Sequence, residues 1–189
     1  MIKGTKTEQN LLKAFAGESQ ARNRYSMYAS IAKKEGFEQI AAIFLETAGN
    51  EYQHAKLFYR KLAGGEVEIT ASYPAGIIGN TKENLKAAAN GEKDEADVLY
   101  PEFAITAKEE GFDDIAKLFT NIATIEEHHH QRYIKLLENV NNNQVFSKDK
   151  EVKWLCLECG FIHEGKEAPK VCPVCMHPQA FYQLHVENY

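Results

Sequence analysis

The sequence has no cysteine before residue 156, and its four cysteines all fall between 156 and 175. They cannot cross-link the long N-terminal part, so a disulfide-stapled scaffold is excluded for most of the chain. An excess of positive charge is missing too: 22 Lys and Arg face 27 Asp and Glu, a formal charge of -5. With no basic run to neutralise phosphates, neither nucleic acid nor an acidic membrane is expected as a partner. Residues 1–20 hold no continuous apolar stretch of signal-peptide length, and nowhere do about 18 apolar residues run together as a membrane-spanning helix requires. A soluble, cytoplasmic chain with reduced thiols is the expectation. No glycine motif for a bound nucleotide is evident either. What remains is a chain of 189 residues, 44% apolar and 26% charged, long enough to bury a core unaided.

Residues 5–64 and 80–139 are rich in Ala, Leu, Glu, Lys and Gln, with apolar residues recurring three and four apart, the period of an amphipathic helix. Each stretch is broken once, at Glu35-Gly36-Phe37 and at Glu110-Gly111-Phe112, where glycine can take the left-handed conformation that ends a helix. Thr5 with Glu8, and Asn80 with Glu83, offer capping boxes at the starts. Four helices are predicted, over 5–35, 37–64, 81–110 and 112–141. The two hairpins repeat at an offset of 75 residues: Lys34 to Phe37 with Ile40, Ala41 and Phe44 map onto Glu109 to Phe112 with Ile115, Ala116 and Phe119. A duplication predicts a pseudo-two-fold bundle whose axis is lined by equivalent residues.

Between the hairpins, Glu66 to Gly79 contains Tyr73-Pro74 and two glycines and does not read as helix. Extended, this segment reaches roughly 46 Å, and a helix of about 28 residues is roughly 42 Å long. It can run the length of the bundle, as does the single long crossover of a ferritin-like fold. Asn139 to Lys150, with three consecutive asparagines, reads as a linker. An all-α four-helix bundle over 1–145 and a small domain over 146–189 follow.

Glu51 and His54 stand three residues apart on one helix face, a spacing that lets both meet one metal cluster. The 75-residue offset carries them onto Glu126 and His129, and the repetition makes a weak signal strong. The same register selects His129 over its neighbours His128 and His130, which point roughly 100° away on either side. The first helix of each hairpin should contribute at the same height. Glu18, Glu92 and Glu95 qualify, lying 18, 19 and 16 residues before their turn glycines. Glu18 and Glu92 each follow a glycine, yet their offset is 74, whereas Tyr25 and Tyr100 return to 75. One residue has been added between Glu92 and Tyr100, and Pro101 follows at once. A bulge is predicted there, able to swing Glu95 inward as an extra ligand unmatched in the first half. Any one of these glutamates would ordinarily be solvated. Together they match the di-iron or di-manganese carboxylate arrangement of helical bundles.

Cys156-Leu157-Glu158-Cys159 and Cys172-Pro173-Val174-Cys175 are two hooks that can set four thiolates around zinc or a single iron. Trp154, Phe161, Phe181 and Tyr182 suit a small aromatic core around them. Three Lys against five Glu in 151–189 argue against a phosphate-binding zinc ribbon. Iron is favoured by its neighbour, since a di-iron site needs an electron supply.

With these motifs in place, Gly17-Glu18, Glu51-x-x-His54, Gly91-Glu92-x-x-Glu95, Glu126-x-x-His129, the two hooks and the Cys-Pro-Val-Cys-Met-His-Pro-Gln run, the chain resembles the rubrerythrin family over its full length. The resemblance implies a ferritin-like bundle with a C-terminal rubredoxin-like domain. It implies that Glu18, Glu51, His54, Glu92, Glu95, Glu126 and His129 ligate two non-haem irons, with Glu51 and Glu126 bridging. It implies further that one iron exchanges His54 for Glu95 on redox change, and that Cys156, Cys159, Cys172 and Cys175 hold a third iron. Tyr25 and Tyr100 would hydrogen-bond ligands or pack the core. The implied activity is reduction of hydrogen peroxide to water, with electrons from NAD(P)H through a separate reductase and rubredoxin, in a homodimer or larger oligomer. A ferroxidase or iron-handling role is the alternative.

Overall fold

In this computed structural model residues 1–188 are described. Helix α1 (Lys6–Lys34) and helix α2 (Glu38–Tyr59) form the first hairpin. The second begins with α3 (Thr81–Asp94), passes through a π-helical segment (Glu95–Leu99) into α4 (Tyr100–Glu109), and returns as α5 (Asp113–Asn141). A three-stranded antiparallel sheet follows, with β1 (Ser147–Cys156) between β2 (Ile162–Glu167) and β3 (Tyr182–Leu184). The fold is the four-helix ferritin-like bundle with a small cysteine-bearing strand domain.

The two turns are built alike. Gly36 and Gly111 take φ of 83° and 81°. The amides of Phe37 and Phe112 donate back to the carbonyls of Ala32 and Ala107 at 2.9 and 2.8 Å. This is the closing pattern a left-handed glycine permits. The acid before each glycine then crosses to the other half. Glu35 accepts from the Thr81 amide at 2.9 Å, and Glu110 accepts from the Lys6 and Thr7 amides at 3.1 and 2.8 Å. Each helix-ending turn thus caps the first helix of the opposite hairpin, where free amides and the helix dipole favour a carboxylate.

These caps fix the topology. The ends of α1, the starts of α2 and α3 and the end of α5 lie at one end of the bundle. Helices α2 and α3 are therefore parallel, and residues 60–80 must travel the bundle's length between them, as the predicted crossover does. Two boundaries differ from expectation. Helix α2 stops at Tyr59, not 64, because the chain tightens through Lys61 to Phe58 and Leu62 to Tyr59 bonds ahead of the left-handed Gly64 and Gly65. The third predicted helix is not one α-helix, since the added residue is absorbed as the π-helical turn of Glu95–Leu99. Pro101 sits in the first turn after it, where its missing N–H does least harm.

Two buried clusters flank the midpoint of the bundle. Tyr25, Tyr28, Phe44 and Tyr133 pack on one side, and Tyr100, Phe103, Phe119 and Phe58 on the other. The four pairs are related by the 75-residue offset. The strand domain docks at the Gly36 end, where Phe37 stacks on Phe146 with centroids 6.1 Å apart. Its core holds Trp154 and Tyr182, with Phe161 at the edge. Phe181 stands apart from that core and packs edge-on against His177. No helix among the described residues is long and apolar enough to cross a membrane.

Candidate metal centres

At the midpoint, two overlapping groups of side chains converge. Glu18, Glu51, His54 and Glu126 form one, and Glu51, Glu92, Glu126 and His129 the other, with the ligand atoms of each group within 4.8 Å of one another. Glu51 and Glu126 belong to both. Helices α2 and α5 supply these shared acids and the two histidines, while α1 and α3 supply one acid each. The pseudo-two-fold axis passes between the two groups.

All six side chains are buried, the histidines at 5% and 2% exposure and the acids at 0–1%. His54 Nδ1 lies 2.9 Å from both Glu51 and Glu126 and 3.7 Å from Glu18; His129 Nδ1 lies 2.8 Å from Glu126, 3.3 Å from Glu51 and 3.7 Å from Glu92. Close as they are, none of these contacts has hydrogen-bonding alignment. Both Nδ1 atoms, both oxygens of Glu51 and of Glu126, and one oxygen each of Glu18 and Glu92 have no partner among the described residues. Buried polar atoms left so would cost several kcal/mol each in an apolar interior. Each nitrogen lies within 3.3 Å of both Glu51 and Glu126, a crowding of donors that a cation between them would satisfy. The donor set, four carboxylates and two imidazoles, suits iron or manganese.

The buried acids and histidines bear strongly on one another's charge. Burial and the neighbouring Glu51, Glu126 and Glu95 raise the Glu18 carboxyl well above the usual range. Glu92 is pushed up to about 8, chiefly by burial. Burial works against His54 and His129 as cations, but Glu126 and Glu51 outweigh it and lift them to about 9 and about 12. Burial likewise opposes ionisation of Glu51, yet His129 and His54 hold it down at about 2. Acids packed this tightly carry charge that bound cations would balance.

Two tyrosines reach across the axis. The Tyr25 hydroxyl donates to Glu92, and the Tyr100 hydroxyl donates to Glu18 at 2.5 Å. Each half thereby orients the other half's terminal acid. Of the consecutive histidines, only His129 enters the cluster. His128 is exposed, and His130 Nδ1 contacts the Ala89 carbonyl at 2.7 Å, tying α5 to α3.

Glu95 stands outside both groups. It opens the π-helical turn and faces α1, where its Oε1 would lie 3.9 Å from a Cβ on Gly17. Burial and the charges of Glu92, Glu126 and Glu51 raise its carboxyl well above the usual range. The two glycines that precede Glu18 and Glu92, and Arg24 beside Gly91, line this same region. In the sequence these glycines mark the repeat; in the structure both line one cleft.

In the strand domain the four sulfurs lie within 4.8 Å of one another, and the Cys156–Cys175 and Cys159–Cys172 separations are both 3.7 Å. A disulfide is about 2.05 Å long, so these are not disulfides. A tetrahedron of sulfurs about 2.3 Å from a central cation has edges of about 3.8 Å, which fits. Burial opposes the Cys172 thiolate, but the Tyr182 hydroxyl and the backbone amides of Cys175 and Val174 hold this thiol down at about 6. The His177 amide lowers Cys175, yet burial and the adjacent thiols push it up to about 12.

Comparison with known proteins agrees with both centres. A family model described as rubrerythrin matches residues 9–137, and one described as the rubrerythrin rubredoxin-like domain matches 154–183. A rubrerythrin of Porphyromonas gingivalis is 56% identical over 188 residues, covering 100% of this chain and 94% of its own. The solved structure of fully reduced, all-ferrous nigerythrin matches with a TM-score of 0.64 at 32% identity, covering 98% of this chain and 92% of its own. The Mycobacterium tuberculosis bacterioferritin matches the fold, with a TM-score of 0.65 at 20% identity, over 75% of this chain and 90% of its own.

Proposed function

The chain belongs to the rubrerythrin family, and from that premise we propose that it is a peroxidase reducing hydrogen peroxide to water. The family's di-iron domain, with carboxylate and histidine ligands, and its four-cysteine iron domain are both present. The observation that carries the reading is the sharing of Glu51 and Glu126 by two otherwise separate buried ligand groups. Such sharing holds two cations side by side, and an electron-carrying site is attached to the same chain.

In this reading Glu18 and His54 would hold one iron and Glu92 and His129 the other, with Glu51 and Glu126 available to both. Cys156, Cys159, Cys172 and Cys175 hold the third. Reduction of hydrogen peroxide takes two electrons and two protons and yields two waters; bound iron supplies Lewis acidity and, as ferrous ions, the electrons. The protein's own part is to place protons and exclude bulk water. Tyr25 and Tyr100 keep Glu92 and Glu18 oriented, and Glu95, beside the cluster, is a carboxylic acid able to deliver a proton or to take the place of His54 as a ligand. The absence of a nucleotide-binding glycine motif supports NAD(P)H acting through a partner reductase and rubredoxin. The bundle as residues 1–145, the iron domain as 146–189, a homodimer or larger oligomer, and a cytoplasmic setting for the free thiols complete the reading.

A ferroxidase built on the same bundle is the second reading, favoured by the shared fold of bacterioferritin. The four-cysteine domain weighs against it, because iron storage requires no electron input. Stopped-flow mixing of the anaerobically reduced protein with peroxide or with O₂ separates the two. Faster reoxidation by peroxide is expected; faster reoxidation by O₂ would replace peroxidase with ferroxidase. Iron analysis should give about three irons per chain and a red visible spectrum, and a colourless protein with one zinc would end the electron-transfer reading.

A further inference from the structure

The cluster is closed on its α2–α5 side by the shared glutamates and the histidines. On the α1–α3 side Glu18 and Glu92 are fully buried, but each follows a glycine. Gly17 and Gly91 both line a cleft of about 300 Å³ there. Arg24, Glu95 and Tyr100, whose hydroxyl donates to Glu18, line it as well. Its outer wall is made not by a helix but by the crossover, residues 70–74. The neighbouring cleft between α1 and α2, lined by Phe15, Ser19 and Tyr52, includes neither Glu95 nor Tyr100.

Tyr73 is the side chain that closes this wall. Its hydroxyl donates to the Lys13 carbonyl at 2.7 Å, pinning the crossover to α1. Its ring would lie 3.6 Å from a Cβ on Gly17, so it covers the glycine directly above the Glu95 carboxylate. At 37% exposure one face of the ring is in solvent while the other faces the cleft. The crossover here is extended chain with no sheet partner, held at this point by one hydrogen bond.

We propose that this cleft is the route by which small molecules reach the cluster, and that Tyr73 is its specificity-determining gate, passing hydrogen peroxide and hindering bulkier hydroperoxides. The choice of substrate class rests on the peroxidase reading; the access route does not. A helical wall would be rigid, whereas a ring on an extended strap can turn aside by breaking one bond to a backbone carbonyl. Loops and straps of this kind commonly control entry to buried sites.

The test uses the full iron-loaded chain with Tyr73→Ala, Tyr73→Phe, Gly17→Ala and, as a control on the unrelated cleft, Tyr52→Ala. Two quantities are read: the rate at which a bulky ferrous chelator removes iron from the bundle without peroxide present, and the ratio of cumene hydroperoxide to hydrogen peroxide turnover. Tyr73→Ala should raise both by about tenfold, the size of effect a few missing or added atoms produce in a steric filter. Tyr73→Phe, which keeps the ring and loses the anchor, should fall between, and Tyr52→Ala should move neither. Gly17→Ala adds a methyl at ordinary contact distance, so it is tolerated by the fold and should lower both quantities. It keeps the test alive if Tyr73→Ala does not fold. Chelation rates and ratios unmoved in the Tyr73 and Gly17 variants would overturn the gate. Faster chelation in Tyr73→Ala, with no hydroperoxide consumed by the unmodified chain, would support the gate and remove the peroxidase.

Discussion

The first and second hairpins are copies whose first helices differ in one turn. In the first, α1 runs unbroken past Glu18 and Tyr25. In the second, one extra residue between Glu92 and Tyr100 is taken up as a π-helical turn that opens with Glu95. Everything that obeys the 75-residue repeat is structural or lies on the axis: the glycine turns, the reciprocal caps by Glu35 and Glu110, the shared Glu51 and Glu126, and the paired histidines. What breaks the repeat faces the open cleft. Duplication supplies a symmetric cage for two cations, and the insertion gives one side of it an additional acid, as π-turns at functional sites tend to do.

The strongest way to test the symmetric part is to remove a shared acid. Glu51→Ala and Glu126→Ala should each cost both bundle irons while leaving the four-cysteine iron in place, whereas Glu18→Ala or Glu92→Ala should cost one. Iron analysis with the visible spectrum of the tetrathiolate as internal reference reads this directly. If Glu51→Ala kept one iron as firmly as Glu18→Ala does, the two halves would hold their cations independently.

Removing the metal should next reverse the pH dependence of stability. In the folded apoprotein Glu92 titrates at about 8 instead of the ordinary 4.5, and His54 at about 9 instead of 6.5. Groups with raised folded values bind more protons folded than unfolded, so their contribution is present at low pH and lost as pH rises through that window. Glu51, held at about 2, has the opposite sign, but its contribution changes only below about 4.5. The apoprotein's Tm should therefore fall from about pH 5.5 to about pH 8.5. The loaded protein should show the reverse, because metal binding needs deprotonated ligands. A flat apoprotein profile would mean that the cluster's charges are satisfied without a cation.

The asymmetric part is tested by Glu95→Ala. Because Glu95 stands outside both ligand groups, both irons should stay, while peroxide turnover falls by at least about tenfold, or roughly 1.4 kcal/mol of barrier. Unchanged turnover would reduce the insertion to a packing accident.

The symmetric features were readable from sequence because each signal occurs twice. Glu51 with His54 alone is weak; matched by Glu126 with His129 it places an axis. The π-turn was readable as a change of offset from 74 to 75, a count that needs no coordinates. Where the second copy gives no help, reading failed. Helix α2 ends five residues before the predicted 64, since nothing in Arg60 to Ala63 forbids helix and the stop comes from how the crossover leaves the bundle. The reciprocal caps by Glu35 and Glu110 were invisible, because they join residues 46 and 103 or more positions apart. The gate at Tyr73 lies in a segment with no period at all, where only packing decides what a side chain covers.

The smallest expected difference between the halves lies in their aromatic clusters. Tyr133 on one side corresponds to Phe58 on the other, and Thr47 to Ile122, again at an offset of 75. Both rings are fully buried. Thr47, the side chain that bears on the Tyr133 phenol, already donates to the Ile43 carbonyl at 3.0 Å and accepts from Arg132 at 2.6 Å, and the phenol itself has no aligned partner. Deleting that hydroxyl removes a buried polar atom that gains little, so Tyr133→Phe should change unfolding free energy by less than about 1 kcal/mol and can stabilise. Phe58→Tyr puts the same atom against Ile122, which offers no acceptor, and should cost about 1–3 kcal/mol. Denaturant unfolding of the two variants, compared at equal metal loading, reads the difference. Equal costs would show that the polar Thr47–Tyr133 pair does not distinguish its cluster from the apolar one.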